Sequence, residues 1–115
     1  MSILTNYSLW YTRIMKMYEV RISHSALADM DNLRIFLDKM LSEEGAVRYA
    51  NNMRSEINSL SVFADCIGRS SSKTIRSIHP DARRMVSHNR RWIYVYHIEQ
   101  DFVLVDRIIP AKMNK

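Results

Sequence analysis

The chain has 115 residues, of which 47% are apolar, 25% are charged, two are Gly and two are Pro, a composition that fits one globular domain with short loops. No run of about 18 apolar residues is present to cross a membrane, and the single cysteine, Cys66, rules out an internal disulfide and favours a reducing, cytoplasmic setting. The net charge of +5 belongs to the C-terminal half: residues 1–65 carry seven Lys/Arg against eight Asp/Glu, whereas residues 66–115 carry ten against four.

Residues 1–16 lack the basic-then-apolar order of a signal peptide, because Arg13 and Lys16 come last. They read as an N-terminal extension ahead of the domain: either a segment upstream of the true start, with Met1, Met15 and Met17 as alternative starts, or a short helix that covers the domain with Ile3, Leu4, Leu9 and Trp10. Tyr18 to Ile22 alternates apolar and polar residues, the pattern of a half-buried strand. Ser23 and Ser25 are both suitable helix caps. Ala26, Met30, Leu33, Leu37 and Met40 then recur at helical spacing, with Phe36 and Leu41 widening the stripe. Asp29 and Asp31 suit the positive end of that helix. After Ser42-Glu43-Glu44-Gly45, a second stripe runs through Ala46, Ala50, Met53, Ile57, Leu60 and Ala64. So short a break predicts an antiparallel helical hairpin.

From Asp65 to Asp81 the periodicity fades, and Ser70-Ser71-Ser72 and Pro80 suggest an exposed connection. Strands are expected over residues 82–87, 92–99 and 102–109. Asn89-Arg90-Arg91 and Gln100-Asp101 supply the turns, and Pro110 the stop. The order β-α-α-β-β-β implies an α+β domain over residues 17–115, with the hairpin packed on one face of a small, mostly antiparallel sheet.

The chemistry-bearing residues are basic and aromatic. Seven Lys/Arg between Arg69 and Arg91 face one acid, Asp81, and run into Trp92-Ile93-Tyr94-Val95-Tyr96. Such a surface suits nucleic acid or an acidic protein; a merely solvated basic face is the plain alternative. Arg83 and Arg84 are strand neighbours and point to opposite faces, so one reaches outward while the other braces the fold. Arg90, Arg91 and Trp92 sit at a turn, where Trp92 either stacks on a ligand or packs at the core edge. Tyr94 and Tyr96 share one strand face; Ile93, Val95 and His97 share the other. His97 reads as a locally paired histidine rather than a general base. Asp106 and Arg107 are expected to pair across strands. Cys66 reads as a small packing residue, and Met85 and Met113 as fillers. His24, His79, His88 and His97 lack metal-ligand spacing, two glycines build no phosphate loop, and no cofactor is implied.

Several short patterns fall in a familiar order. They are Tyr18 to Ser23, Ala26 with Asp29-Met30, Ala50, Ile57-x-x-Leu60, Ile67-Gly68-Arg69, His79 to Met85, Ile93 to Ile98, and Val103-x-Val105-x-x-Ile108-Ile109. Over residues 17–114 this series resembles the RelE/ParE superfamily, toxins of type II toxin–antitoxin pairs that include plasmid stabilization modules of bacteria. The resemblance implies a cognate antitoxin whose acidic, amphipathic segment wraps the toxin. RelE-like members cleave mRNA on the ribosome, and ParE-like members inhibit DNA gyrase by binding. Pro80-x-x-Arg83 and the tail Pro110 to Asn114 look more like the ParE branch, although Pro110 and Lys112 stand where many relatives have His and Arg. The expected target surface is Arg83, Arg84, Arg90, Arg91, Trp92 and Lys112. A metal-independent nuclease would instead use Arg83, Arg84 and Lys112, but a base is missing unless His97 or His88 serves. A relative that only binds its antitoxin is the third reading.

Overall fold

The computed structural model describes residues 17–113; the N-terminal extension lies outside them. Strand β1 (Glu19–Ile22) leads into helix α1 (His24–Met40), and helix α2 (Glu43–Asn58) returns. A one-turn helix α3 (Leu60–Phe63), a 3₁₀ turn (Ala64–Cys66) and helix α4 (Lys73–Ile78) follow. Strands β2 (Arg83–Val86), β3 (Trp92–Glu99) and β4 (Phe102–Pro110) complete the sheet before a 3₁₀ turn at Ala111–Met113. The strand order is β1-β4-β3-β2, with β1 parallel to β4 and the other pairs antiparallel. This is the α+β arrangement expected.

Serines start the helices. Ser23 Oγ accepts from Ala26 N at 3.0 Å and donates to the Asp106 carbonyl at 2.9 Å, so one hydroxyl caps α1 and ties it to β4. Ser42 caps α2 through Gly45 N at 3.1 Å. The hairpin lays Leu33, Leu37, Met53 and Ile57 against Tyr94, Tyr96, Val103 and Val105, all buried. Each such aliphatic side chain contributes about 1.5–3 kcal/mol by leaving water. Phe36, Met40 and Leu41 were counted into the α1 stripe, yet all three are exposed. They lie in the last turns of α1 and at its C-cap, beside the hairpin turn. The α2 stripe also divides: Asn58 ends α2, and Leu60 and Ala64 are buried from the next two turns.

Three further expectations are corrected. The stretch from Asp65 to Asp81 is not a bare connection, because α4 lies within it and its Ile75 is fully buried against Ile93 and Val95. The sheet is therefore covered on both faces. Cys66 is exposed rather than packed. Asp106 and Arg107 do not pair with each other. Val95 faces Arg107 and Tyr96 faces Val105, which leaves Asp106 as the extra residue of a β-bulge. The bulge changes the alternation of β4, so Ile108 joins Val103 and Val105 on the helical face while Ile109 packs on the other. Arg107 then reaches Asp29 of α1 with two bonds, at 2.8 and 3.1 Å, and Ile108 N donates to the same carboxylate at 2.9 Å. Asp29 is thus a clamp between α1 and β4; the first turn of α1 holds no acid.

Candidate functional site

The β2–β3 turn is held by a network that begins on α2. Tyr49 Oη accepts from Trp92 Nε1 at 2.7 Å and from Asn89 Nδ2 at 2.8 Å. Glu56 accepts from the His88 backbone N–H at 2.7 Å. Ser87 Oγ donates to Asn89 Oδ1 at 2.6 Å and accepts from Trp92 N at 3.1 Å, and Asn89 Oδ1 also takes the Arg91 N–H at 3.0 Å. Polar groups tied this many ways hold one conformation. Arg90 accordingly keeps φ at 63°, a left-handed value that a non-glycine residue adopts only at a cost. Ala111 N donates to the Arg91 carbonyl at 2.9 Å, which brings the Lys112 turn beside Arg91. Arg90, Arg91 and Lys112 are exposed. The result is a braced cationic tip at one end of the sheet.

Of the residues singled out in the sequence, Arg90, Arg91 and Lys112 come together there. Trp92 serves the tip from behind: it is half-buried and its indole is bound to Tyr49. Arg83 and Arg84 do point to opposite faces. Arg83 turns toward the helices, donating to the Ile67 carbonyl at 2.7 Å and to the Ala64 carbonyl at 3.4 Å. Arg84 is exposed on the other face, beside Gly68, Arg69 and the serine run. The six residues thus divide into a tip, a lateral arginine and two supports, rather than one continuous face. Tyr49, Glu56 and Asn89 were missed. Only a half-apolar α2 pattern hinted at Tyr49, and nothing local linked it to a turn some 40 residues later.

The second face of the sheet carries a different cluster. His97, 4% exposed at its side chain, has Nδ1 at 2.7 Å from Asp106 and Nε2 at 2.8 Å from Glu99. His79 stacks on it with ring centroids 3.7 Å apart and planes 3° from parallel. Burial draws the His97 pKa down, but the hydrogen bonds to Asp106 and Glu99 outweigh it and raise the value above 6.5. A carboxylate on each nitrogen favours the charged form of His97. His79, His97 and Glu99 place ligand atoms within 4.8 Å of one another. Parallel stacked rings direct their lone pairs side by side, however, and do not converge on one ion. His79 Nδ1 moreover accepts the Asp81 N–H at 3.0 Å, which leaves that ring's proton on Nε2. The cluster is built for a buried charge rather than for a metal. Within it His97 is buried, His79 is half-buried and Glu99 is exposed.

Two buried tyrosines face the helices. Burial pushes the Tyr96 pKa up to about 12, and its hydroxyl donates to the Ala64 carbonyl at 2.9 Å. Tyr94 is raised further, by burial first and then by the Glu56 carboxylate, and among the described residues its hydroxyl has no partner in hydrogen-bond geometry. Neither supplies an ionisable group near neutral pH. His88 stands at the tip, but no hydrogen bond positions its ring among the described residues.

No protein-family model matches the chain, and no curated protein matches it. A solved structure does: a chain of the "Chromosomal ParDE TA system from P. aeruginosa" superposes with a TM-score of 0.68 at 17% identity, covering 82% of this chain and 96% of that one. The fold is shared with a member of a ParDE toxin–antitoxin system. The α+β architecture expected from the sequence is present, with the hairpin and the four strands in the expected order. Among the described residues no helix is long and apolar enough to cross a membrane.

Proposed function

We propose that this chain is the toxin of a ParDE-type toxin–antitoxin pair, held inactive by an acidic antitoxin. We propose further that it acts on DNA gyrase by binding, through Arg90, Arg91 and Lys112. The fold shared with a ParDE chain carries the toxin reading. The braced cationic tip favours binding over cleavage: three cations are presented on a fixed turn, while the two imidazoles held by hydrogen bonds among the described residues, His79 and His97, lie in the cluster on the second face and not at the tip. Cleavage through a ribose hydroxyl needs a base and an acid in reach of the phosphate, and the tip offers neither in a fixed position. Arg84 flanks the surface and Arg83 supports it.

The test is induction of the full chain in cells, followed by a supercoiling assay with purified protein and gyrase. Growth arrest, DNA-damage signalling and blocked supercoiling are expected, with relief by the antitoxin. Arg90→Glu, Arg91→Glu and Lys112→Glu together should remove inhibition while leaving the circular dichroism spectrum and Tm unchanged. Arrest with cut transcripts and normal supercoiling would transfer the assignment to the mRNA-cleaving class. Unimpaired growth would leave an antitoxin-binding relative without toxicity.

A further inference from the structure

We infer that residues 3–14 dock as an amphipathic helix in the groove between α1 and α2 of the same chain, a strap built into the molecule. The groove holds about 490 Å³. Leu27 and Met30 of α1 and Val47 and Ala50 of α2 supply its apolar lining. Leu27 is 46% exposed and Val47 52% exposed, although the hairpin already buries Leu33, Leu37, Met53 and Ile57 elsewhere in the fold. The hairpin thus carries a second apolar surface, which no described residue covers. Charged side chains complete the lining: the carboxylates of Asp31, Asp38 and Glu43 against the guanidinium groups of Arg34 and Arg54, a negative surplus.

The N-terminal extension has the chemistry to fill this groove. Ile3, Leu4, Tyr7, Trp10, Tyr11 and Ile14 recur at i, i+1, i+4, i+7, i+8 and i+11, which gathers them on one side of a helix. Ser2, Thr5, Thr12, Arg13 and Lys16 fall on the other side, and Leu9 alone departs from the pattern. A helix of this kind laid in an apolar groove is a common recognition mode. The extension holds two cations and no acid, so it suits the negative surplus of the lining, whereas an acidic partner segment would add to it. Lengths agree as well. Ile3 to Ile14 spans as many positions as Leu27 to Asp38, about 16 Å of helix in each case. The chain enters beside the groove, because Tyr18 N donates to the Ser61 carbonyl at 2.8 Å. Ser61 lies about 10 Å beyond Arg54 along the helical path. Met15 to Met17, when extended, bridges about that distance. A tether this short gives an effective concentration on the order of millimolar, so a modest affinity keeps the groove filled. The inference concerns a surface separate from the tip and holds whether or not the chain is a toxin.

Paramagnetic broadening by NMR on the full chain tests it. Cys66, which is exposed, is changed to Ser, and a nitroxide is attached at Ser8→Cys. The Leu27 and Ala50 signals should lose most of their intensity, while the Arg84 amide, on the opposite face of the sheet, keeps its own. Tyr7→Asp with Tyr11→Asp should restore the groove signals. Val47→Asp, an exposed change that leaves the fold intact, should restore them from the other side of the contact. Sharp Leu27 and Ala50 signals in the labelled parent would overturn the inference and leave the groove to a partner protein. So would broadening that survives both sets of Asp changes, since contact would then not depend on the apolar faces. A mixture of nitroxide-bearing chains with isotope-labelled chains that lack the nitroxide should show no broadening; loss of signal there would assign the groove to the extension of a second copy and overturn the strap.

Discussion

The two faces of the sheet are closed by different means. On one, a two-helix hairpin covers Tyr94, Tyr96, Val103 and Val105 with long apolar side chains. On the other, a six-residue helix contributes Ile75, and the cover continues with a His79 ring stacked over His97, which two carboxylates bind. The first is a conventional apolar core. The second is a small core finished with electrostatics, so its strength depends on solution conditions in a way the first does not. The proposed target surface follows the same division, since the tip is braced from the hairpin side.

The most severe disruption of that comparison is a charge in the larger core. Leu33→Glu buries an unpaired carboxylate, which costs several kcal/mol, about the whole stability of a small domain. No folded, soluble protein is expected; a native circular dichroism spectrum would mean the α1 stripe has been assigned to the wrong face. Ile75→Ala weighs the smaller core. A fully buried Ile truncated to Ala loses about 2–5 kcal/mol, measured by urea unfolding. A loss below about 1 kcal/mol, the cost of an ordinary surface change, would show that α4 does not seal that face.

His97 sharpens the contrast through pH. Its folded pKa lies above the unfolded value of 6.5, so the charged pair network stabilises fully below pH 6.5. That contribution fades as the pH climbs through the folded pKa. Relative to His97→Gln, the native protein should lose its stability advantage over that window; a pH-independent difference would mean His97 is not charged in the fold. The smallest effect separates the two tyrosines. Tyr96→Phe should cost about 1 kcal/mol, because the Ala64 carbonyl loses its donor. Tyr94→Phe, which removes a hydroxyl that has no partner in hydrogen-bond geometry among the described residues, should be neutral or stabilising by thermal melt. Equal losses would show that Tyr94 has a partner after all.

Periodicity carried most of the fold. β1, the hairpin and the last two strands each have enough repeats for a pattern to register, and Trp92–Glu99 falls where alternation put it. α4 was not legible because six residues offer one buried position, Ile75, and no repeat. The Asp106 bulge defeats any reading that assumes strict alternation, and with it went the partners of Asp106 and Arg107. Asp29 looked like a helix-dipole residue; its bond to Arg107 spans 78 positions and has no local trace. Phe36, Met40 and Leu41 were read as core because spacing says which face a residue occupies but not where the sheet beneath it ends. At the proposed site, composition pointed to the cations, of which Arg90, Arg91 and Lys112 lie at one end of the sheet. Only the hydrogen bonds from Tyr49 and Glu56 distinguish a fixed tip from a loose charged loop.

The Trp92–Tyr49 bond also makes the molecule its own gauge. An indole whose N–H is held by a phenol on α2 emits according to that contact, and the contact exists only while hairpin and sheet are docked. With Trp10 replaced by Phe, the chain keeps one tryptophan. Its fluorescence would then follow separation of these two layers directly, and any ligand that loosens or tightens the seam would register as a change in colour.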